Sequence, residues 1–344
     1  MAEPDPDLWP RALSTLSAGR SLDRDEAAAV MRVVMAGEAT PGQVGGFLMA
    51  LRTKGESAEE IEGLADTMLE FAGRVDPPAP VIDTCGTGGD RGGTFNISTI
   101  AAIVAAGAGV PVAKHGNRAA SSRCGSADLL EALGVRIDLE RDGVEACLSE
   151  AGIAFLFAPV FHPAMGHAAP VRRELRVPTV FNFLGPLTNP ARPFAQVVGV
   201  SDPRMLPLLA QVLAHRGTRA RLFRARDGLD ELSTTGPSTV FDVANGQVRE
   251  FELDPLELGL ERAALEDLRG GDPRASARIA LAVLRGQRGP RRDVVLLNAA
   301  AALEVAGTAP SLEEAMTMAA ASIDSGSAND TLARWVTASV AAAR

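Results

Sequence analysis

The sequence predicts an α/β protein: a small N-terminal helical bundle, then a larger domain with a mostly parallel central sheet covered by helices. Three observations carry this. Helix-capping signatures recur three times before residue 61. A proline-rich break, Asp76-Pro77-Pro78-Ala79-Pro80, follows. Beyond it, short apolar strands alternate with helical runs, the pattern of parallel sheets.

The elements follow in order. Asp23 and Glu26 form a capping box opening a helix through Met35. Thr40-Pro41-Gly42-Gln43 has an N-cap residue, a proline at the first helical position and a glutamine at the third. Val44, Phe47, Leu48 and Leu51 then recur at helical spacing. Ser57 to Glu60 is a further box, with Ile61, Leu64, Ala65, Met68 and Leu69 as its stripe. Each pairs two otherwise orphaned backbone N–H groups. After the stiff break, Val81-Ile82-Asp83 reads as a strand, Asn96 to Ala106 as a helix and Val110 to Ala113 as a strand. Ala127 to Leu133 is the next helix. Phe155 to Phe157, Thr179 to Phe181, Gln196 to Val200, Leu206 to Ala214 and Arg219 to Phe223 continue the alternation, with Thr179 to Phe181 read as a strand. The Ala-rich stretches Asn298–Val305, Leu312–Ala321 and Thr331–Ala342 read as packed helices.

Composition narrows the function. Hydrophobic residues at 46% and charged residues at 22% of 344 supply a large core and exclude disorder over most of the length. Lys and Arg number 34 against 43 Asp and Glu, a net charge of −9. That argues against broad nucleic-acid or anionic-membrane binding. Cys85, Cys124 and Cys147 form no C-x-x-C pair, so neither a thiolate zinc site nor a dithiol motif is available. A sparse, odd cysteine count fits a reducing compartment. MAEPDPDLW lacks a secretory pattern, and the apolar run Ile100 to Ala113 is shorter than the roughly 20 residues a bilayer needs. A soluble cytoplasmic protein is expected.

Four segments carry chemistry. Asp83 to Thr99, DTCGTGGDRGGTFNIST, holds five glycines, four threonines and a serine between strand and helix. Glycines let backbone N–H groups close on a phosphate, and the helix N-terminus adds positive potential. The segment has no Walker lysine, and Arg91 stands where a dinucleotide fingerprint needs glycine. Lys114 to Asp128, KHGNRAASSRCGSAD, follows the next strand and opens at the same sheet edge. Lys114, His115, Arg118 and Arg123, with Asn117 and three serines, suit a small polyanion. Ser126 is also placed to cap the next helix. In His162 to Leu175, Arg172 or Arg173 suits a carboxylate. Asp230-Glu231, beside such a pocket, suits Mg²⁺ held jointly with substrate phosphates.

The blocks DTCGTGGD, FNIST, VAKHGNRAASSRCGSADLLEALG, HPAM…PVRREL, FNFLGPLTNP and DGLDELS, in this order, resemble the anthranilate phosphoribosyltransferase family of tryptophan biosynthesis. The resemblance runs over nearly the whole chain. It implies a homodimer, with a helical domain (1–74, joined by helices near 163–187) and an α/β domain (80–344). It implies transfer of the 5-phosphoribosyl group from phosphoribosyl pyrophosphate (PRPP) to the amine of anthranilate, with about two Mg²⁺ per subunit.

Residue by residue, the resemblance implies that Gly86, Gly89, Asp90, Thr94, Asn96, Ile97, Ser98 and Thr99 grip PRPP. It implies the same of Lys114, His115, Gly116, Asn117, Arg118, Ala119, Ala120, Ser121, Ser122 and Ser126. Gly86, Asn117 and Arg172 would face anthranilate. Ser98, Asp230 and Glu231 would bind magnesium. No general base is implied, because an aromatic amine is already neutral at pH 7. His115 is read as a packing or hydrogen-bonding residue, and Cys85 as a small buried one. Arg176-Val177-Pro178 and the stretch Gly271 to Ser276 depart from the family pattern. Two rivals share the architecture: a pyrimidine nucleoside phosphorylase and a non-catalytic nucleic-acid-binding relative. The Asp83-Thr84-Cys85-Gly86 wording and the Asp230-Glu231 pair disfavour the first, and the net charge disfavours the second.

Overall fold

Reciprocal caps set the N-terminal helices in the computed structural model, which describes residues 5–90, 92–119 and 122–343. Helix α1 spans Leu8–Ser17, α2 Arg24–Met35, α3 Pro41–Lys54 and α4 Ala58–Glu70. Asp23 accepts from the Glu26 N–H at 2.8 Å while Glu26 accepts from the Asp23 N–H at 3.1 Å. Thr40 with Gln43 and Ser57 with Glu60 do the same. Each such cap contributes about 1 kcal/mol. Glu60 is fully buried and also accepts from the Leu22 N–H and from Lys54 Nζ, both at 2.9 Å. With the Ser57 N–H at 2.8 Å, these donors compensate the burial of its carboxylate.

Seven strands form one sheet: β1 Ile82–Gly86, β2 Val112–Gly116, β3 Ile153–Phe157, β4 Ala195–Gly199, β5 Arg219–Ala225, β6 Ser238–Ala244 and β7 Gln247–Leu253. Their spatial order is β3-β2-β1-β4-β5-β6-β7. Strands β1 to β5 are parallel, and β6 and β7 complete one edge as an antiparallel hairpin. Its turn is Asn245-Gly246, both at positive φ (54° and 73°), as a two-residue hairpin of this twist requires. The chain winds outward from β1 through β2 to β3, then returns to the other side of β1 as β4. The switch point of the sheet therefore lies between β1 and β4, where open α/β sheets bind ligands at their carboxyl ends.

The helices of the larger part are α5 Ile97–Gly107, α6 Ser126–Ala132, α7 Arg141–Ala151, α8 Ala158–Phe161, α9 Ala169–Leu175, α10 Met205–His215, α11 Pro273–Leu284, α12 Pro290–Val305, α13 Leu312–Asp324 and α14 Ser327–Ala342. Two apolar cores result. One packs α5, α12, α13 and α14 against the sheet, with α5 apolar all round and buried, and Trp335 of α14 1% exposed. The other joins the bundle to α10, to residues of 168–187 and to Val198, Val200, Ala220 and Leu222 of the β4–β5 region. Arg216, just past α10, ties these parts polarly. It pairs with Asp66 of α4 at 2.5 Å and donates to the Leu187 carbonyl at 2.7 Å. Arg221, nearly buried, bridges Asp242 of β6 and Glu304 of α12.

Two expectations are corrected. Thr179 to Phe181 is not a strand: Val180–Asn182 is one 3₁₀ turn. Pro178 precedes it, and the Asn182 side chain accepts from the Thr179 N–H at 3.0 Å, closing the turn locally instead of pairing across a sheet. Ser126 does not cap α6. Gly125 holds the cap position, and Asp128 accepts from the N–H groups of Gly125 (2.8 Å) and Ala119 (3.0 Å). The departures from the family pattern have local consequences. Arg176 takes the left-handed position closing α9 at φ 52°, where a glycine costs less. Asp272 caps α11 by accepting from the Ala275 N–H at 2.8 Å, with Pro273 at the first helical position. Among the described residues, no helix is long and apolar enough to cross a membrane.

Candidate active site

The switch point is shaped by what its glycines allow. Gly86 ends β1 and Gly199 ends β4, directly opposite each other in register. A Cβ on Gly86 would lie 2.5 Å from Asp230 Oδ2, and one on Gly199 would overlap the Asp230 carbonyl. Asp230 therefore lies in a bed that only two glycines leave open. Its Oδ2 accepts from the Gly88 N–H at 2.6 Å, tying the β5–β6 loop to the Gly-rich loop.

Described residues on either side of Arg91 are fixed as well. Gly88, Gly89 and Gly93 take positive φ. Thr94 bridges Arg269, the Gly270 N–H donates to the Gly93 carbonyl at 2.9 Å, and the Phe95 N–H donates to the Leu268 carbonyl at 3.1 Å. At the start of α5, the Ser98 N–H donates to Glu231 Oε1 at 3.1 Å. Thr99 donates to Ser126 Oγ at 3.0 Å, and Asn96 donates to the Cys124 carbonyl at 3.0 Å. The two loops are thus stitched together above the ends of β1 and β2.

Lys114 is 1% exposed, and its Nζ donates to the Thr84 carbonyl and, at 3.3 Å, to Ser98 Oγ. No acidic side chain pairs with it directly among the described residues. A buried ammonium in that state is poised for an anion, because an unpaired buried charge is costly. Asp83, beneath, is fully buried and held by the His115 N–H at 3.2 Å and by Asn189 at 2.8 Å. Burial pushes its carboxyl up against the opposing pull of Lys114.

Asp90, Asp230 and Glu231 converge. Burial first, and their mutual repulsion second, push the carboxyls of Asp230 and Glu231 upward, and burial raises Asp90. Carboxyl groups crowded together against their own repulsion fit a bound cation. Among the described residues, no three His, Cys, Asp or Glu side chains form a closed metal cage. A Mg²⁺ shared with substrate phosphates requires no such cage.

His115 and His162 face each other with ring centroids 5.1 Å apart. His115 Nδ1 lies 3.2 Å from the Gly185 carbonyl, and the Nε2 atoms of both are buried without a partner. Burial lowers His115 to about 3 and His162 to about 4, so both are neutral at pH 7. The segment opening at His162 carries Arg172 on α9. Its guanidinium lies over the Phe181 ring at 5.5 Å and has no acidic partner among the described residues. Arg173 is exposed.

Of the residues expected to bind ligands, the structure thus brings Gly86, Asp90, Asn96, Ser98, Thr99, Lys114, Ser126, Asp230 and Glu231 into one network. Gly89, Asn117 and Ser122 are exposed on the two loops, and Gly116 ends β2. Arg118 is taken up by Glu131 (2.6 Å) and Asp128 (3.1 Å). Ala120 and Ser121 lie outside the described residues. Cys85 is buried, its thiol pushed well up by that burial, so it is no nucleophile. Sequence reasoning missed Gly199, Ser201, Asn189 and Gly270. Two of these had a signal: Asn189 lies in the FNFLGPLTNP block, and Gly270 lies in a Gly-Gly pair, where a Cβ would meet the Phe95 backbone at 2.8 Å.

Known proteins match this architecture throughout. Residues 10–72 match a glycosyl transferase family helical bundle domain, and residues 78–329 match a glycosyl transferase family a/b domain. The anthranilate phosphoribosyltransferase of Acidothermus cellulolyticus is 57% identical over 98% of this chain and 97% of its own length. The crystal structure of the Thermus thermophilus enzyme of that name superposes with a TM-score of 0.91, at 46% identity over 96% of this chain and 99% of that one. The Saccharomyces cerevisiae enzyme in complex with PRPP and Mg gives 0.90, at 30% identity over 98% and 99%. The chain belongs to the anthranilate phosphoribosyltransferase family.

Proposed function

We propose that this chain transfers the 5-phosphoribosyl group of PRPP to the amine of anthranilate, releasing pyrophosphate, as a step of L-tryptophan biosynthesis. The observation that carries the proposal is the junction of Gly88, Ser98, Lys114, Asp230 and Glu231 at the sheet's switch point. It brings paired carboxylates, each held by a loop N–H, together with a buried cation. This suits a polyphosphate with its counter-ions.

Gly86, Gly89, Asp90, Thr94 and Asn96 to Thr99 hold PRPP from the first loop, with Lys114 to Ser122 and Ser126 on the second. Asp230, Glu231 and Ser98 hold about two Mg²⁺. When bound, the metal neutralises charge developing on the departing pyrophosphate. Lys114, donating at the base of the first loop, adds fixed positive charge on the same side. Arg172 binds the anthranilate carboxylate, its guanidinium carbon 5.5 Å from the Phe181 ring centroid. The aromatic amine is already neutral at pH 7, so its lone pair is free to attack without a general base. Rate enhancement then rests on positioning and electrostatics.

The same reading makes residues 1–74 with 163–187 one domain and 80–344 the other, with anthranilate bound between them. The second apolar core joins the bundle to Ala168, Val171, Val180 and Phe181 and runs on to α10 and to Val198, Val200, Ala220 and Leu222 of the larger domain. It also makes the protein a cytoplasmic homodimer. Three buried free thiols fit a reducing compartment. The test is pyrophosphate release with PRPP, anthranilate and Mg²⁺, against phosphorolysis of uridine or thymidine as the rival. Release that requires anthranilate supports the proposal; phosphorolysis without it overturns it.

A further inference from the structure

The first turn of the Gly-rich loop is held by residues outside the four segments that carry the proposed ligands. Ser201, two residues past β4, donates its N–H to Thr87 Oγ1 at 3.0 Å. Its hydroxyl donates to the Gly88 carbonyl at 2.7 Å and lies 3.1 Å from Thr87 Oγ1. The Ser201 carbonyl accepts in turn from Arg224 Nε, at the end of β5, at 2.9 Å. Arg224 also reaches the Ala225 carbonyl at 3.5 Å and, among the described residues, forms no ion pair. A half-buried guanidinium is thus committed to main-chain carbonyls at the ligand edge of the sheet.

Gly88 is therefore gripped through both of its peptide groups. Its N–H faces Asp230, and its carbonyl faces Ser201. At φ +68° it occupies a conformation that a glycine reaches freely and also leaves freely. Fixing a backbone residue costs conformational entropy, and a loop fixed before binding does not incur that cost again when the phosphates arrive. Arg224 holds Ser201, Ser201 holds Thr87 and Gly88, and these present the loop to the pyrophosphate.

We propose that Ser201 and Arg224 are positioning residues for PRPP, acting through the Thr87–Gly88 turn without touching the substrate. The inference rests on the phosphoribosyl-transfer activity proposed above. It assigns a substrate-selective effect: the turn serves PRPP, whereas Arg172 serves the anthranilate carboxylate.

The experiment is steady-state kinetics of Ser201→Ala, Ser201→Thr, Arg224→Ala and the Ser201→Ala/Arg224→Ala double variant beside the unaltered chain, with Tm measured for each. Ser201→Ala is expected to raise the KM for PRPP about tenfold and Arg224→Ala several-fold. The KM for anthranilate stays within about twofold. Ser201→Thr, which keeps the hydroxyl, restores the PRPP KM. The double variant falls short of the product of the singles, because both act through one turn. An unchanged PRPP KM, an equal rise in both KM values, or a fall in Tm with unaltered KM overturns the inference. An unaltered chain with no turnover overturns the activity itself, so the two failures are distinguishable.

Discussion

Gly86 and Gly199 pair across the β1–β4 register, and both abut Asp230. Neither glycine needs an unusual φ; each is required because a carboxylate-bearing loop lies where its Cβ would be. The sheet's switch point and the proposed metal site are thus one construction. Backbone pairing sets the floor, and the absence of two side chains sets the depth at which Asp230 sits.

Gly199→Ala is accordingly expected to displace Asp230 and to lower kcat/KM on the order of 100-fold, the scale of an ångström-sized misplacement. The fold survives, because β4 keeps its ladder. Kinetics with far-ultraviolet circular dichroism check this; a folded, fully active variant would contradict the arrangement.

Asp230→Asn keeps an acceptor for the Gly88 N–H while removing one of the repelling charges. The Mg²⁺ concentration giving half-maximal rate should rise at least about tenfold. The metal-free Tm should stay level or rise, because burial and repulsion already disfavour the charged form. An unaltered magnesium titration removes Asp230 from the metal site.

Arg172→Ala should raise the KM for anthranilate by about tenfold or more while leaving that for PRPP near its original value. A charge-assisted bidentate pair is worth roughly 1.5–3 kcal/mol. Arg172→Lys should recover little, because an ammonium does not reproduce the fork that pairs with both carboxylate oxygens. Equal shifts in both KM values would count against the assignment.

The histidine pair gives a pH dependence of stability. In the folded chain the pKa falls to about 3 for His115 and about 4 for His162, below the ordinary value of 6.5. Between these limits the unfolded chain binds protons that the folded chain refuses. The stabilisation is therefore complete above pH 6.5 and is lost as pH falls toward 4, by at most about 1.4 kcal/mol per pH unit for each ring. Tm measured from pH 7 to pH 5 should drop more steeply for the unaltered chain than for His162→Gln. Parallel curves would show that the ring titrates freely in the fold.

How much of this was legible in the sequence depended on whether the cause was local. The three capping boxes were, because a hydroxyl or carboxylate three residues from its partner closes within one turn. The Gly-rich loop and the basic loop were legible because their chemistry is concentrated between one strand and one helix. Thr179 to Phe181 misled because β-branched and aromatic residues suit strands, while Pro178 and the Asn182 side chain decide the turn. The β6–β7 hairpin went unread although Asn245-Gly246 signals it. Most of Gln247 to Leu253 is exposed and carries no apolar alternation. Ser201 and Gly199 could not be found by spacing, because their partners Gly88 and Asp230 lie far from them along the chain.

The most direct measurement follows the fluorescence of anthranilate mixed with the purified chain, PRPP and Mg²⁺. The account predicts rapid loss that needs all three and is abolished by chelating the metal. Undiminished fluorescence from a folded protein that binds PRPP would contradict it, leaving the phosphoribosyl pocket but removing anthranilate as its acceptor.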